Sequence, residues 1–330
     1  MVFKNYMLEL FKQPRDLNGP FRVASAELEN ADGISNILRR AYDEGELAYF
    51  RDENPELYFD SQYIKEKIDD DKWSWLVFLS GNNIAGIAVL REEVLASHVK
   101  GISPKYDGVV THDLYLVSPE YRGHGLTANF LNLLYKDLQH MRHNYVIHDL
   151  IVLSPATKGM RHVLQKDNEG RALGIYPHKL LTKSGRTESI LLVSHYPVQP
   201  DINATIIPEV LGLYNIIGSQ VDLGQPNVVT RTKGYPMLIV GPAPNAIAIP
   251  KNQLLLSGHS GYKEVVVDAA NPNEQKSAVD KGFVPIAILP EANAIVMADC
   301  RRKVGELDFL LQEDIEPNKK LLLRLKNIKR

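Results

Sequence analysis

From Phe21 onward, apolar and polar positions switch repeatedly between a period of two and a period near 3.6, so the chain reads as strands alternating with helices. Phe21–Ser25 predicts a strand, and Ile34, Ile37, Leu38 and Tyr42 form the stripe of a helix over about 32–43. A second helix is expected after Asp60 or Ser61, either of which suits an N-cap, with Tyr63, Ile64 and Ile68 on one face. Trp73–Ser80 and Ile84–Leu90 predict a hairpin closed by Gly81-Asn82-Asn83, residues that accept positive φ. After a polar loop, Val109–Val117 reads as a strand and Thr127–His140 as a helix striped by Phe130, Leu131, Leu134 and Leu138. Strand Ile147–Leu153, helix Ala156–Lys166 and a hairpin of Ile175–Leu181 with Ser189–His195 complete a first set of elements.

The segment Pro197–Thr205 reads as a linker, followed by a helix from Pro208 to Ser219 and a Gly/Pro-rich β stretch to about Leu256. Strand Glu264–Asp268, helix Asn273–Lys281 and a hairpin of Phe283–Leu289 with Ala294–Ala298 then repeat an earlier order. Gly282 to Pro290 echoes Gly170 to Pro177 at an offset of about 112 residues, the mark of an internal repeat. The expected organisation is an N-terminal extension over 1–20, a first domain over 21–197 and a second over 201–330.

Composition narrows the class. With 44% hydrophobic and 24% charged residues over 330 positions, the chain has globular values and room for two cores. Its 38 Lys and Arg against 40 Asp and Glu leave a formal charge of −2, which supplies no overall field for nucleic acid or an acidic membrane. The single cysteine, Cys300, cannot close an intrachain disulfide, which fits a reducing, cytoplasmic compartment. The opening MVFKNYMLELFKQPRD mixes charge into its apolar residues and is not expected to act as a secretory signal, and no apolar run reaches the ~18 residues of a membrane helix.

The chemistry is concentrated in Val117-Ser118-Pro119-Glu120-Tyr121-Arg122-Gly123-His124-Gly125-Leu126-Thr127, which ends a strand and opens a helix. Such a turn offers free backbone N–H groups and the positive end of a helix dipole to a phosphate. A purely structural glycine turn is one reading. A dinucleotide fingerprint is another, citing Gly123, Gly125 and Ala128 with Asp149 further on, although Ser118 to Arg122 separate the strand from its first glycine.

A third reading is a resemblance. The pattern V-x-P-x-Y-R-G-x-G is similar to the acyl-CoA-binding motif of the GNAT N-acyltransferase superfamily, and it sits between the fourth strand and third helix, where that family carries it. The resemblance implies an α/β fold with a mixed sheet, here a full GNAT-like domain followed by a degenerate GNAT-like half domain. It implies acetyl-CoA or another acyl-CoA as co-substrate, no metal, and a small-molecule or peptide amine as acceptor. The backbone of Leu116 and Val117 would meet the pantetheine arm, and Arg122, Gly123, His124, Gly125, Leu126 and Thr127 would hold the pyrophosphate. The family pattern has Gly or Ala where this chain has Thr127.

The resemblance also assigns catalytic roles. The Val117 amide would face the thioester oxygen, and Asp113, four residues earlier, takes the place of the family base. Strict alternation puts Thr111, Asp113, Tyr115 and Val117 on one face and His112 on the other. The family's usual acid, a tyrosine on the helix after the next strand, has no counterpart in GMRHVLQKDNEG, which leaves His162 or water for that proton. His140, His143 and His148 complete no ligand pattern. Lys319–Arg330, with six basic residues and no acids beside four leucines, reads as a solvated terminal element or a contact for an anionic surface. Two functions stay open: an N-acyltransferase, and an acyl-CoA-binding or protein-interaction module without turnover.

Overall fold

The computed structural model describes residues 3–17, 19–44, 59–93, 105–138, 140, 144–153, 157–181, 187–230, 264–299 and 315–327. Within them the elements are helix α1 (Phe3–Phe11), strands β1 (Arg15–Asp16) and β2 (Phe21–Ser25), helices α2 (Ala31–Asp43) and α3 (Ser61–Asp69), and strands β3 (Trp73–Ser80), β4 (Asn83–Glu93) and β5 (Gly108–Val117). Helix α4 (Leu126–Leu138), strand β6 (Tyr145–Val152), helix α5 (Lys158–His162) and strands β7 (Arg171–Leu181) and β8 (Thr187–His195) follow. The chain continues through β9 (Thr205–Ile206), α6 (Pro208–Gly218), β10 (Asn227–Val228), β11 (Glu264–Asp268), α7 (Pro272–Asp280), β12 (Val284–Leu289), β13 (Ala294–Ala298) and α8 (Glu316–Lys326).

These strands build a mixed α/β architecture around one sheet of eleven described strands, in the order β1-β2-β3-β4-β5-β6-β8-β7-β12-β13-β11. Its described pairings are antiparallel except β5 with β6. That parallel pair requires a crossover, supplied by α4, as parallel neighbours cannot be joined by a tight turn. On one face α1 and α4 pack Phe3, Met7, Phe11, Phe130 and Leu134 onto Phe78, Leu90 and Val110. On the other, α2 and α3 pack Ile34, Leu38, Ile64 and Ile68 onto Trp73, Trp75, Val77 and Val89.

The first twenty residues are not a mere extension. Phe3, Met7 and Phe11 recur at helical spacing and are fully buried, and the Lys4 ammonium donates to the carbonyls of Ile68, Asp69 and Asp70 at 2.8, 2.9 and 3.0 Å. Those carbonyls close the C-terminal end of α3, where a cation is favoured.

Nor do the two halves separate at the linker. The units β6-α5-β7-β8 and β11-α7-β12-β13 share one wiring, each placing its last strand between the other two. The repeat read from the sequence is therefore a structural repeat, and the copies meet along their outer strands, with Ala287 of β12 opposite Gly174 of β7. Three polar locks reinforce the junction. Gln220 satisfies both backbone groups of Ala172, donating to its carbonyl at 3.0 Å and accepting from its N–H at 2.9 Å. The amides of Gln165 and Asn318 exchange hydrogen bonds at 3.0 and 2.7 Å. Glu291 accepts from Tyr196 Oη at 2.8 Å and lies 3.1 Å from His148 Nε2.

The C-terminal basic element is docked rather than solvated. Leu321, Leu322 and Leu325 are buried in the shared core, and the Arg324 guanidinium donates to the Pro285 carbonyl at 2.7 Å. The β stretch expected between 231 and 256, and Cys300, lie outside the described residues.

Gly174 carries a testable consequence. A Cβ there would lie 2.3 Å from both Ala287 Cβ and the Ile286 carbonyl oxygen, distances no side chain tolerates. Gly174→Ala is expected to destabilise the chain by about 2 kcal/mol or more, as overpacking at a backbone contact does, read as a lower denaturant midpoint.

Candidate functional site

Strand β5 changes character halfway along. Its register with β6 runs from Gly108–Tyr145 to His112–Asp149 and ends there, while its register with β4 continues to Gly86–Val117. Among the described residues, 113–117 therefore keep one strand neighbour and present an open edge on the other side. Against β4 the register steps from Leu114–Val89 to His112–Leu90, so Asp113 is the extra residue of a bulge.

The bulge overturns simple alternation. His112 does not point away from Tyr115: its ring is edge-on to the Tyr115 ring at 5.2 Å, and its Nδ1 lies 2.5 Å from Tyr115 Oη. Both belong to the α4 face, where Tyr115 also meets Phe130 at 6.0 Å. Asp113 turns to the opposite face, where its carboxylate lies 2.8 Å from Arg91 Nε with both side chains almost wholly buried. The Arg91 guanidinium sits 5.5 Å above the Trp73 ring. A carboxylate enclosed with a guanidinium is stabilised as the anion, which counts against the expectation that Asp113 takes a proton from the acceptor.

The ladder also divides the residues expected to meet a cofactor. Ser118 N–H donates to the Ala85 carbonyl at 2.9 Å, so by alternation the backbone groups of Ser118 and Leu116 point at β4. The backbone groups of Val117 and Tyr115 face the open edge instead. Leu116 contributes its side chain to the α2 face, and its backbone is not available at the edge as expected.

The turn after β5 has the form the sequence suggested. Gly123 and Gly125 hold φ of +81° and +70°, conformations that an L side chain resists. None of the described residues lies within 4 Å of the position a Gly123 Cβ would occupy, so the backbone there is open to an approaching group. The Gly125 carbonyl accepts the Asn129 N–H at 2.9 Å, which sets the start of α4 and leaves the first-turn amides, including Leu126 and Thr127, without helical acceptors. Arg122 is exposed and its Nε donates to the Val117 carbonyl at 3.0 Å, while His124 is exposed with its ring 5.4 Å from that of Phe21. An open groove of about 600 Å³ runs beside this turn, lined by Asn30, Arg40, Asn82, Asn83 and Glu120. His162, at the end of the short α5, precedes a wide turn closed by Asn168 N–H on the Val163 carbonyl at 3.1 Å.

Beneath α4 lies a group that sequence reading passed over. The Asp149 carboxylate is wholly buried at the last β5–β6 rung and is hydrogen-bonded to His112 Nδ1 and, at 2.5 Å, to Tyr135 Oη. His195 Nε2 stands 3.3 Å from it, and the His195 ring stacks on Tyr135 with centroids 4.0 Å apart. Burial by itself would raise the Asp149 pKa, but the charge and hydrogen bond of His112, joined by those of His195, hold it well below the usual carboxylate range. Tyr115 and Tyr135 are pushed well above the ordinary tyrosine value, first by burial and then by the Asp149 charge. His195 and Tyr135 also line a cavity of about 230 Å³ between α4, the linker and Gln220. In the sequence Asp149 stands out only as the acid of a dinucleotide fingerprint and His112 only as a residue on the other face of its strand, and nothing there joins the two.

Among the described residues no group of histidine, cysteine, aspartate and glutamate is arranged to hold a metal ion, and no helix is long and apolar enough to cross a membrane. No family model and no curated protein matches the chain. Solved structures similar to it include a putative acetyltransferase from Salmonella typhimurium with its cofactor acetyl-CoA, at 17% identity over 55% of this chain and 96% of that one, with a TM-score of 0.39. Spermidine N-acetyltransferase from Vibrio cholerae, with CoA and spermine, is 15% identical over 55% of this chain and 97% of its own, with a TM-score of 0.41. An acetyltransferase of the GNAT family from Streptococcus pneumoniae is 14% identical over 53% and 99%, with a TM-score of 0.39. At such identities no residue role passes from one protein to another.

The Asp149 group dictates a pH dependence. A carboxyl whose folded pKa is lowered stabilises the fold at pH values above its unfolded pKa, near 4, and that contribution fades as pH falls through the folded value. Asp149→Asn is therefore expected to lose about 3 kcal/mol or more at pH 7, with a gap to the native chain that narrows by pH 3, measured as paired denaturation curves.

Proposed function

We propose that this chain is an acyl-CoA-dependent N-acyltransferase, most simply an acetyltransferase, with the coenzyme seated along the open edge of β5. One observation carries the reading: the exposed edge of residues 113–117 leads straight into a glycine turn whose backbone amides open α4. A pantetheine arm is an extended amide chain and can add to such an edge by main-chain hydrogen bonds. The pyrophosphate then falls on the amides of Arg122 to Thr127, where the helix dipole and unpaired N–H groups favour an anion. Val117 N–H, facing the edge, is the donor for the developing thioester oxyanion, a role worth about 3 kcal/mol of barrier. Arg122 would leave the Val117 carbonyl for phosphate as the arm arrives.

In this reading the acceptor is a primary amine that attacks the thioester directly, and acetyl-CoA is a co-substrate with no metal involved. Asp113 braces the bulge through Arg91 and is not assigned proton transfer. A second reading, an acyl-CoA-binding module without turnover, is favoured by the Arg122 hydrogen bond that occupies the Val117 carbonyl.

Gly125→Val is expected to weaken CoA binding by more than about tenfold in calorimetry, because the side chain fills phosphate space and resists the positive φ. Its strain of about 1–3 kcal/mol should leave a cooperative melt. Unchanged affinity in that folded variant removes the turn from the site. Binding of acetyl-CoA with no thiol release across a panel of primary amines selects the second reading.

Asp113→Asn separates brace from base. As a brace, the substitution lowers the melting temperature and leaves the shape of the pH–rate profile unchanged; as a base, it lowers turnover by a factor that shrinks at high pH.

A further inference from the structure

We propose that the cavity of about 230 Å³ between α4, the linker and Gln220 is a second binding site, built for a free α-amino acid with an apolar side chain. It takes Leu138 from the last turn of α4, whereas the glycine turn opens that helix at Leu126, about 18 Å away along the axis at about 1.5 Å per residue. The site therefore stands apart from the acyltransferase reading.

Its walls are fixed before any guest arrives. His195 Nδ1 donates to the Asn168 carbonyl at 3.0 Å, and the Asn168 amide donates to Asn132 Oδ1 at 2.8 Å and to the Val163 carbonyl at 2.9 Å. Gln199 Nε2 donates to the Asp222 carbonyl at 2.9 Å, and Gln220 has both ends of its amide engaged by Ala172. A pocket held in shape by such bonds costs little to order when it is filled. Much of the surface it offers is aromatic: Tyr135 and His195 stack with ring centroids 4.0 Å apart, and Tyr145 and Tyr196 line the same space.

Two charges complete the lining. Arg171 Nη2 stands 3.8 Å from Glu169 Oε2, at the outer limit of an ion pair, and no hydrogen bond among the described residues engages either side chain. Glu169 is exposed and Arg171 partly so, which puts the pair at the rim. Glu169 holds φ of +57°, a left-handed conformation that favours glycine, so the turn keeps an acid there against its backbone preference. A cation and an acid this close match the carboxylate and ammonium of one zwitterion. The guanidinium takes the carboxylate through paired N–H donors, Glu169 accepts from the ammonium, and the side chain of the guest lies on the aromatic wall. An inorganic anion or a simple amine satisfies one of the two charges only. At ~30 Å³ each the cavity holds roughly eight waters, less than the ~300–1,000 Å³ of drug-sized pockets, which fits a single amino acid and not a nucleotide.

Calorimetric titration of the full chain with L-phenylalanine tests the site, beside two truncated probes: 2-phenylethylamine, which lacks the carboxylate, and 3-phenylpropanoate, which lacks the ammonium. The expected result is saturable binding of L-phenylalanine, weakened about tenfold or more in each truncated probe, since each loses one charge-assisted contact. Arg171→Gln should weaken L-phenylalanine and 3-phenylpropanoate and leave 2-phenylethylamine unchanged. Glu169→Gln should weaken L-phenylalanine and the amine and leave the acid unchanged, with an unaltered thermal melt in both variants. Equal affinity of the native chain for all three probes overturns the zwitterion assignment. No saturable heat with either L-phenylalanine or L-leucine overturns the site itself. A separate titration with CoA reports on the acyltransferase reading and leaves both outcomes untouched.

Discussion

The carboxylate of Asp149 on β6 lies where β5 and β6 share their last rung, wholly out of solvent, and one strand, one helix and one hairpin converge on it through His112, Tyr135 and His195. A buried charge survives only when donors replace the water it has lost, so each of those side chains is held to one rotamer. The carboxylate binds the α4 face at the point where the two strands part. With α4 anchored there through Tyr135, its first turn is placed at the far end of the open β5 edge. The geometry of the proposed site thus depends on a residue that touches none of the proposed cofactor.

The parting of the strands has its own local cause. The bulge at Asp113 inserts one residue into β5, and its ion pair with Arg91 fixes the insertion on the α2 face. Beyond the bulge, side chains change faces relative to a regular strand, which brings Tyr115 over His112 instead of away from it. A single extra residue therefore exchanges the faces on which two titratable side chains are expected.

The second half of the chain answers a different constraint. An open sheet must cover or pair its edge strands, and the edge beyond β7 is completed by a copy of its own supersecondary unit. The contact is close enough to require glycine at 174, and it is flanked by amide and carboxylate locks from Gln220, Asn318 and Glu291. One hydrophobic core consequently runs from Phe3 to Leu325. The linker between the halves is a wall of the cavity beside His195 rather than a hinge between free bodies.

By itself, the sequence determined the elements whose periodicity is strong. Phe21–Ser25, Glu264–Asp268 and Ala294–Ala298 fall on the strands expected, Asp60 caps its helix, and the Gly123–Gly125 turn opens α4, because each rests on local backbone and capping preferences. It also exposed the repeat, since equal wiring leaves an equal pattern. Tertiary structure alone decided the rest. A bulge leaves no mark in side-chain alternation, so the faces of His112 and Asp113 could not be read. The pairing of Asp113 with Arg91, of Asp149 with two histidines and of Ala287 with Gly174 joins residues 22, 37, 46 and 113 positions apart in the chain, and a burial partner at such separations is chosen by the packing of the sheet and not by its neighbours in sequence.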